Sequence, residues 1–175
     1  NTRRYGGYVV HMGIVFMFIG FAGSAFNTHS KGEVKVGDGL QVGTYEFHLK
    51  EIVKEDNANY ASQTARIEVY SDGELLEIML PERRAYHASG TGTTEVAIRP
   101  RIDEDVYVVF SGISTVTNTP VIEVYINPLV NWIWIGAFVL VFGTLIALVP
   151  AKIKPIRTRI VETTKRTHEI PVRTV

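Results

Sequence analysis

The chain has 175 residues, zero net charge at pH 7 and no cysteine, which excludes disulfides, thiolate metal sites and thiol nucleophiles. The neutrality hides a segregation: residues 27–127 carry 9 Lys+Arg against 16 Asp+Glu, a net of −7, while the two ends together carry 9 against 2, a net of +7. An acidic central segment argues against nucleic-acid partners, and its 101 residues can bury a core without covalent staples.

The first predicted element is a membrane-spanning helix over residues 6–26. None of its 21 residues carries a fixed charge, and as a helix they reach roughly 31 Å, enough for a bilayer core. Residues 1–5, with Arg3 and Arg4, form a short basic end before it. The span is too long for a cleaved signal peptide, so the chain reads as a piece or subunit of something larger. Gly6, Gly13 and Gly20 recur every seven residues, and Ser24 continues the same side, a stripe that lets another helix approach closely. His11 points the other way, with Gly7, Val15, Phe18 and Ala22. An ionisable ring at that depth is costly and marks a metal-ligating or proton-handling role. The neutral imidazole is the ligating form. The apolar wall, with a glycine four residues earlier, leaves the room that a flat macrocycle beside a ligating histidine needs. The alternative is a ring that donates to a neighbouring helix carbonyl.

Residues 27–127 read as a β domain. Residues 43–50 alternate, with Tyr45, Phe47 and Leu49 on one face. Residues 64–70 and 74–80 flank Ser71-Asp72-Gly73, a hairpin signature. Residues 93–99, 105–110 and 120–126 supply further strands. Six or seven short strands without a helix predict a small barrel, OB-like as the first choice, or a sandwich.

A second span follows over residues 128–149, with no charge in 22 residues. Asn127 is the expected N-cap and Pro128 the first helical residue. Trp132 and Trp134 fall where an aromatic belt is favoured, and Trp132, Gly136, Val139, Gly143 and Ala147 share a close-packing face. Pro150 ends the helix, and the basic, Thr-rich tail over residues 150–175 is expected to be mobile or to lie along anionic headgroups. Basic residues outside both spans predict cytoplasmic termini and an extracytoplasmic β domain.

Four motifs in order around this topology carry a resemblance: Arg4-Tyr5-Gly6-Gly7-Tyr8-Val9-Val10-His11-Met12-Gly13, Glu82-Arg83-Arg84-Ala85-Tyr86, Thr93-Thr94-Glu95-Val96-Ala97-Ile98, and Asn127-Pro128-Leu129-Val130-Asn131-Trp132-Ile133-Trp134-Ile135-Gly136. Together they resemble the C-terminal part of the CcmF-type haem lyases of cytochrome c maturation, a family that includes the NrfE branch. The resemblance covers nearly all of the chain and is weakest in the tail. It implies a multi-pass protein of the bacterial inner membrane with its β domain in the periplasm. The activity implied is covalent attachment of haem, the transferred substrate, to the CxxCH thiols of an apocytochrome c. It further implies a b-type haem held between two transmembrane histidines, with His11 in the position of one axial ligand. The implied partners are an N-terminal haem-lyase portion bearing a Trp-rich motif, a haem chaperone, apocytochrome c with its thiol-handling maturation proteins, and membrane lipid. The Trp-rich segment, the two outward histidines that flank it and the second transmembrane ligand have no counterpart here. The chain alone is therefore expected to be an incomplete lyase, a subunit of a split protein or a C-terminal fragment.

The remaining candidates are weighed against plainer roles. Arg83 and Arg84 could pair with haem propionates or an acidic partner, but a solvated strand end explains both. Glu95 lies on the polar face of its strand. Trp132 and Trp134 could contact a haem edge, and an interfacial belt accounts for them equally. His29 follows the first span at the outer surface, His48 shares a polar face with Glu46 and Lys50, His87 sits in a loop, and His168 lies in the tail. The rival reading from a different class is a non-enzymatic, membrane-anchored β module that binds proteins.

Overall fold

A computed structural model describes residues 2–149. The tail predicted to follow the second span, with Pro150 and His168, lies outside the described residues. The order is α1 (Thr2–Gly23), a 3-10 turn (Ser24–Phe26), β1 (Thr28–Glu33), β2 (Gly39–Val42), β3 (Tyr45–Asp56), β4 (Tyr60–Ser71), β5 (Glu74–Met79), β6 (Glu82–Tyr86), β7 (Gly92–Glu95), β8 (Ala97–Arg99), β9 (Glu104–Ile113), β10 (Pro120–Pro128) and α2 (Val130–Leu148). Both helices are long and apolar enough to cross a membrane.

The strands form two antiparallel sheets, β1-β10-β9-β8 and β2-β3-β4-β6-β7, with β5 also paired to β4. Their inner faces make one core. Phe47, Leu49, Ala65, Ile67, Val69 and Met79 from the larger sheet meet Val106, Val108, Phe110, Ile122, Val124 and Ile126 from the smaller. Alternation along each strand produces this directly, since side chains two apart share a face. Of the two architectures expected, the sheets match the sandwich and not the OB-like barrel, because no ladder links the edges into a closed ring. The predicted strand over 93–99 breaks at Val96: β7 pairs with β6 in one sheet and β8 with β9 in the other. One short segment thus switches sheets and closes a side of the sandwich. The Asp72-Gly73 turn has φ of 51° and 80°, the paired positive values of a tight hairpin joining Ser71 to Glu74.

The two helices pack along their glycines. A Cβ on Gly13 would lie 2.7 Å from the Gly136 carbonyl oxygen and from the Leu140 nitrogen. One on Gly143 would lie 2.6 Å from Val10 N, and one on Gly6 2.6 Å from Ala147 N. Ser24, expected to continue the stripe, is exposed and donates its hydroxyl to the Phe21 carbonyl at 2.7 Å. The 3-10 turn shifts the angular register there, so Gly23 is the buried residue that meets Pro128.

The entry to α2 also differs from expectation. Asn127 and Pro128 stay in the ladder, opposite Asp105 and Glu104, and Leu129 makes the turn with φ 61°. The helix starts at Val130 without a side-chain cap. Its start is held instead from the β8–β9 loop: Leu129 N–H donates to the Asp103 carbonyl at 2.8 Å.

Candidate functional site

His11 lies on the side of α1 turned away from α2, exposed together with Val15 and Phe18. Its Nδ1 is 2.8 Å from the Gly7 carbonyl oxygen. A carbonyl only accepts, so Nδ1 carries a proton, and in the neutral ring Nε2 is left with its lone pair toward the surface of the helix. Gly7 leaves open space beside the ring, since a Cβ there would meet nothing within 4 Å. The local backbone thus orients the ring and sets its tautomer, as partners outside the coordination sphere do for metal-bound imidazoles. These residues fit a flat, apolar group ligated through Nε2. Among the described residues no group of three or more His, Asp or Glu is arranged to hold a bare metal ion.

The other candidates are elsewhere. Arg84 and Glu95 are brought together on the outer face of the larger sheet. Arg84 pairs with Glu82 at 2.8 Å and with Glu95 at 3.6 Å, and its guanidinium carbon sits 5.0 Å from the Tyr60 ring centre. The hydrogen bond to Arg84 holds the Glu82 carboxyl below its ordinary range. With both carboxylates and an aromatic face engaged, Arg84 is a cross-strand tie. Arg83 donates to the Ser111 carbonyl of the facing sheet. Trp132 packs edge-on against Phe16 of α1, ring centres 5.5 Å apart, and donates to the Ile102 carbonyl at 3.1 Å. Trp134 is exposed. His48 lies 3.3 Å from Glu46, and His87 lies 3.0 Å from Asp56.

Two arrangements escape a reading of the sequence. The first is a clasp at the head of α2: Asn131 Nδ2 donates to buried Asp105 Oδ1 at 2.7 Å and to the Arg101 carbonyl. Both residues are visible in sequence, but nothing in their spacing marks them as partners. The second is a cluster on the outer face of the smaller sheet. Glu123 is 2.6 Å from Lys31 Nζ and accepts from Ser111 Oγ at 2.7 Å and Tyr125 Oη at 3.0 Å. His29 stacks on Tyr125 at 4.2 Å.

Hydrogen bonds from Lys31 and then Ser111 hold the Glu123 carboxyl down to about 2. A carboxyl depressed in the folded state stabilises above its unfolded value and loses that contribution as pH falls through the folded one. Glu123→Gln should therefore be less stable than the parent at pH 6 by about 2 kcal/mol, discounted for the exposed lysine. Denaturant melts taken from pH 6 to about pH 2 should show the gap closing, with most of the change below the ordinary carboxylate value near 4.5.

Comparison with known proteins now bears on this arrangement. Residues 25–128 match the family model described as the CcmF C-terminal beta-sandwich. The chain belongs to this family. It is 30% identical over 149 residues to the cytochrome c-type biogenesis protein CcmF of Haemophilus influenzae, covering 85% of this chain and 23% of that protein. Against CcmF of Escherichia coli K12 it is 28% identical over 150 residues, with the same shares of the two chains. The H. influenzae biogenesis protein NrfE is 25% identical over 149 residues, again 85% and 23%. A solved structure named cytochrome c heme lyase CcmF superposes with a TM-score of 0.71 at 20% identity, over 86% of this chain and 25% of that one. That likeness shows the fold alone. The chain spans about a quarter of the length of the CcmF relatives it matches.

Proposed function

We propose that this chain is the C-terminal portion or subunit of a haem lyase in cytochrome c maturation. In this reading α1 and α2 cross the bacterial inner membrane, both termini are cytoplasmic, and the sandwich stands in the periplasm. The observation that carries the proposal is the His11 ring, held by Gly7 O with Nε2 free on an open apolar helix face. Family membership supplies the chemical context.

His11 would ligate a b-type haem through Nε2, with Gly7 leaving room beside the ring and Val15 and Phe18 offering apolar contact. The second ligand comes from another segment or chain. A haem ligated by two neutral imidazoles supplies one-electron transfer. The protein's own part is to hold the imidazole in its Nδ1–H tautomer and to present Nε2 beside apolar side chains. The glycine seam with α2 fixes the orientation of the ligating face. The periplasmic sandwich, acidic overall, positions apocytochrome c, its thiol-handling maturation proteins or the haem chaperone above the membrane.

The test is covalent haem attachment in cells. His11→Ala in the complete lyase should lower haem-stained c-type cytochrome by at least about tenfold, since even the outer-shell partners of a metal ligand are worth about 10–100-fold. Undiminished attachment, with the variant present at parental level, would reject the assignment.

A further inference from the structure

The β8–β9 loop, residues 100–103, carries an isoleucine that the fold does not use: Ile102 is 69% exposed. The loop around it is strongly held. The Ile102 carbonyl accepts from Trp132 Nε1, the Arg101 carbonyl from Asn131 Nδ2, and the Asp103 carbonyl from Leu129 N–H. All three donors belong to the first turn of α2 or the residue before it. Arg101 and Asp103 pair with each other at 3.1 Å, so the charges flanking the isoleucine cancel locally. The loop tip is therefore pinned at the level where the apolar helix begins, with a single apolar side chain presented outward. Phe26, which ends the 3-10 turn after α1, is 73% exposed, and Trp134, in the second turn of α2, is 64% exposed.

We propose that the Arg101–Asp103 tip is a lipid-contacting foot that seats Ile102 in the outer interfacial layer of the bilayer. This rests on the reading of α2 as a membrane span. An isoleucine side chain loses more by facing water than the paired charges lose at the headgroup level, where polar groups remain hydrated. Because three hydrogen bonds join the tip to α2, the foot fixes the tilt of the whole sandwich over the membrane. Phe26, at the end of the 3-10 turn that joins α1 to the sandwich, is a second apolar contact. The site recognises the boundary between headgroups and acyl chains, not a particular lipid.

The chain has no cysteine of its own, so single nitroxide labels are unambiguous. Ile102→Cys, Phe138→Cys in the middle of α2 and Val116→Cys in the β9–β10 loop would each be labelled in the full chain. Reconstitution would use vesicles of phosphatidylethanolamine and phosphatidylglycerol. Val116, 91% exposed, lies at the far end of strands that extend roughly 30 Å from the helices. The ratio of relaxation by oxygen to relaxation by a water-soluble nickel chelate should be lowest at Val116 and highest at Phe138. At Ile102 it should stand several-fold above Val116. Equal ratios at Ile102 and Val116, with Phe138 lipid-exposed, would overturn the foot and leave the span intact. A label at Ile102 shielded from both reagents would overturn it in favour of a protein contact. A water-exposed Phe138 would reject the span itself, and the foot with it.

Discussion

Replacing Gly13 with leucine should separate the two helices. Gly13 faces Gly136 and Leu140 so closely that even a Cβ would fall 2.7 Å from backbone atoms of α2. Backbone cannot swing aside as a long side chain can, and overpacking of this kind costs about 1–3 kcal/mol or more. Intrinsic propensity pulls the other way, since leucine favours a helix over glycine by somewhat less than about 1 kcal/mol. A loss of stability would therefore report packing. Trp132, made the single tryptophan by a Trp134→Phe background, gives the readout because its indole rests on Phe16 of α1. Emission of detergent-purified Gly13→Leu should shift to the red, and its thermal midpoint should fall by several degrees. Gly7→Leu is the matched control, since nothing lies within 4 Å of the added atom. It should leave Trp132 emission unchanged while occupying the space beside His11.

The helices were the most legible part of the sequence, and the reason is physical. Close helix approach demands residues without side chains at fixed angular spacing, so Gly6, Gly13 and Gly20 announce the seam in advance. His11 stands out in the same way, as the one histidine inside the first apolar run. The sandwich was legible where inner and outer residues alternate, as in Val106, Tyr107, Val108, Val109 and Phe110. It was illegible in β1 and β6. The half-buried positions of β1 are Ser30 and Gly32, small because Leu40 of β2 fills the space above Gly32. In β6 the positions facing the other sheet include Arg83, which spends its charge on a backbone carbonyl. Neither strand shows hydrophobic alternation, because partners elsewhere in the chain complete their inner faces.

The head of α2 failed for a related reason. Asn127-Pro128 has the local form of a helix start, and in isolation it would serve as one. Ladder pairing with Glu104 and Asp105 competes and wins, carrying β10 two residues further. The capping role passes to the β8–β9 loop, which no local pattern could indicate. Arg84, considered with Glu95 for contact with haem or a partner, pairs with Glu95 and Glu82 and lies over the Tyr60 ring. They sit on the larger sheet, whereas α1 joins the domain through the 3-10 turn and β10.

His11 carries the largest functional prediction. Its ring has no side-chain partner among the described residues, only the Gly7 carbonyl four residues before it. A histidine retained merely for packing would be expected to face α2, where the seam is. It faces the other way, beside a glycine and two exposed apolar side chains. If Nε2 ligates haem iron, removing the ring removes one of two strong-field ligands and changes the optical spectrum directly. No such change follows if the ring only caps Gly7.

The decisive measurement is the reduced-minus-oxidised optical spectrum of the detergent-purified complex, with this chain co-expressed with the N-terminal haem-lyase portion, for the parent and His11→Ala. The variant chain should copurify with the N-terminal portion in the parental ratio, which secures the assembly of the helix pair. The account predicts a b-type haem signal in the parent that is lost or clearly shifted in the variant. An unchanged haem spectrum in a well-folded His11→Ala would contradict it and leave this chain as a membrane-anchored β module.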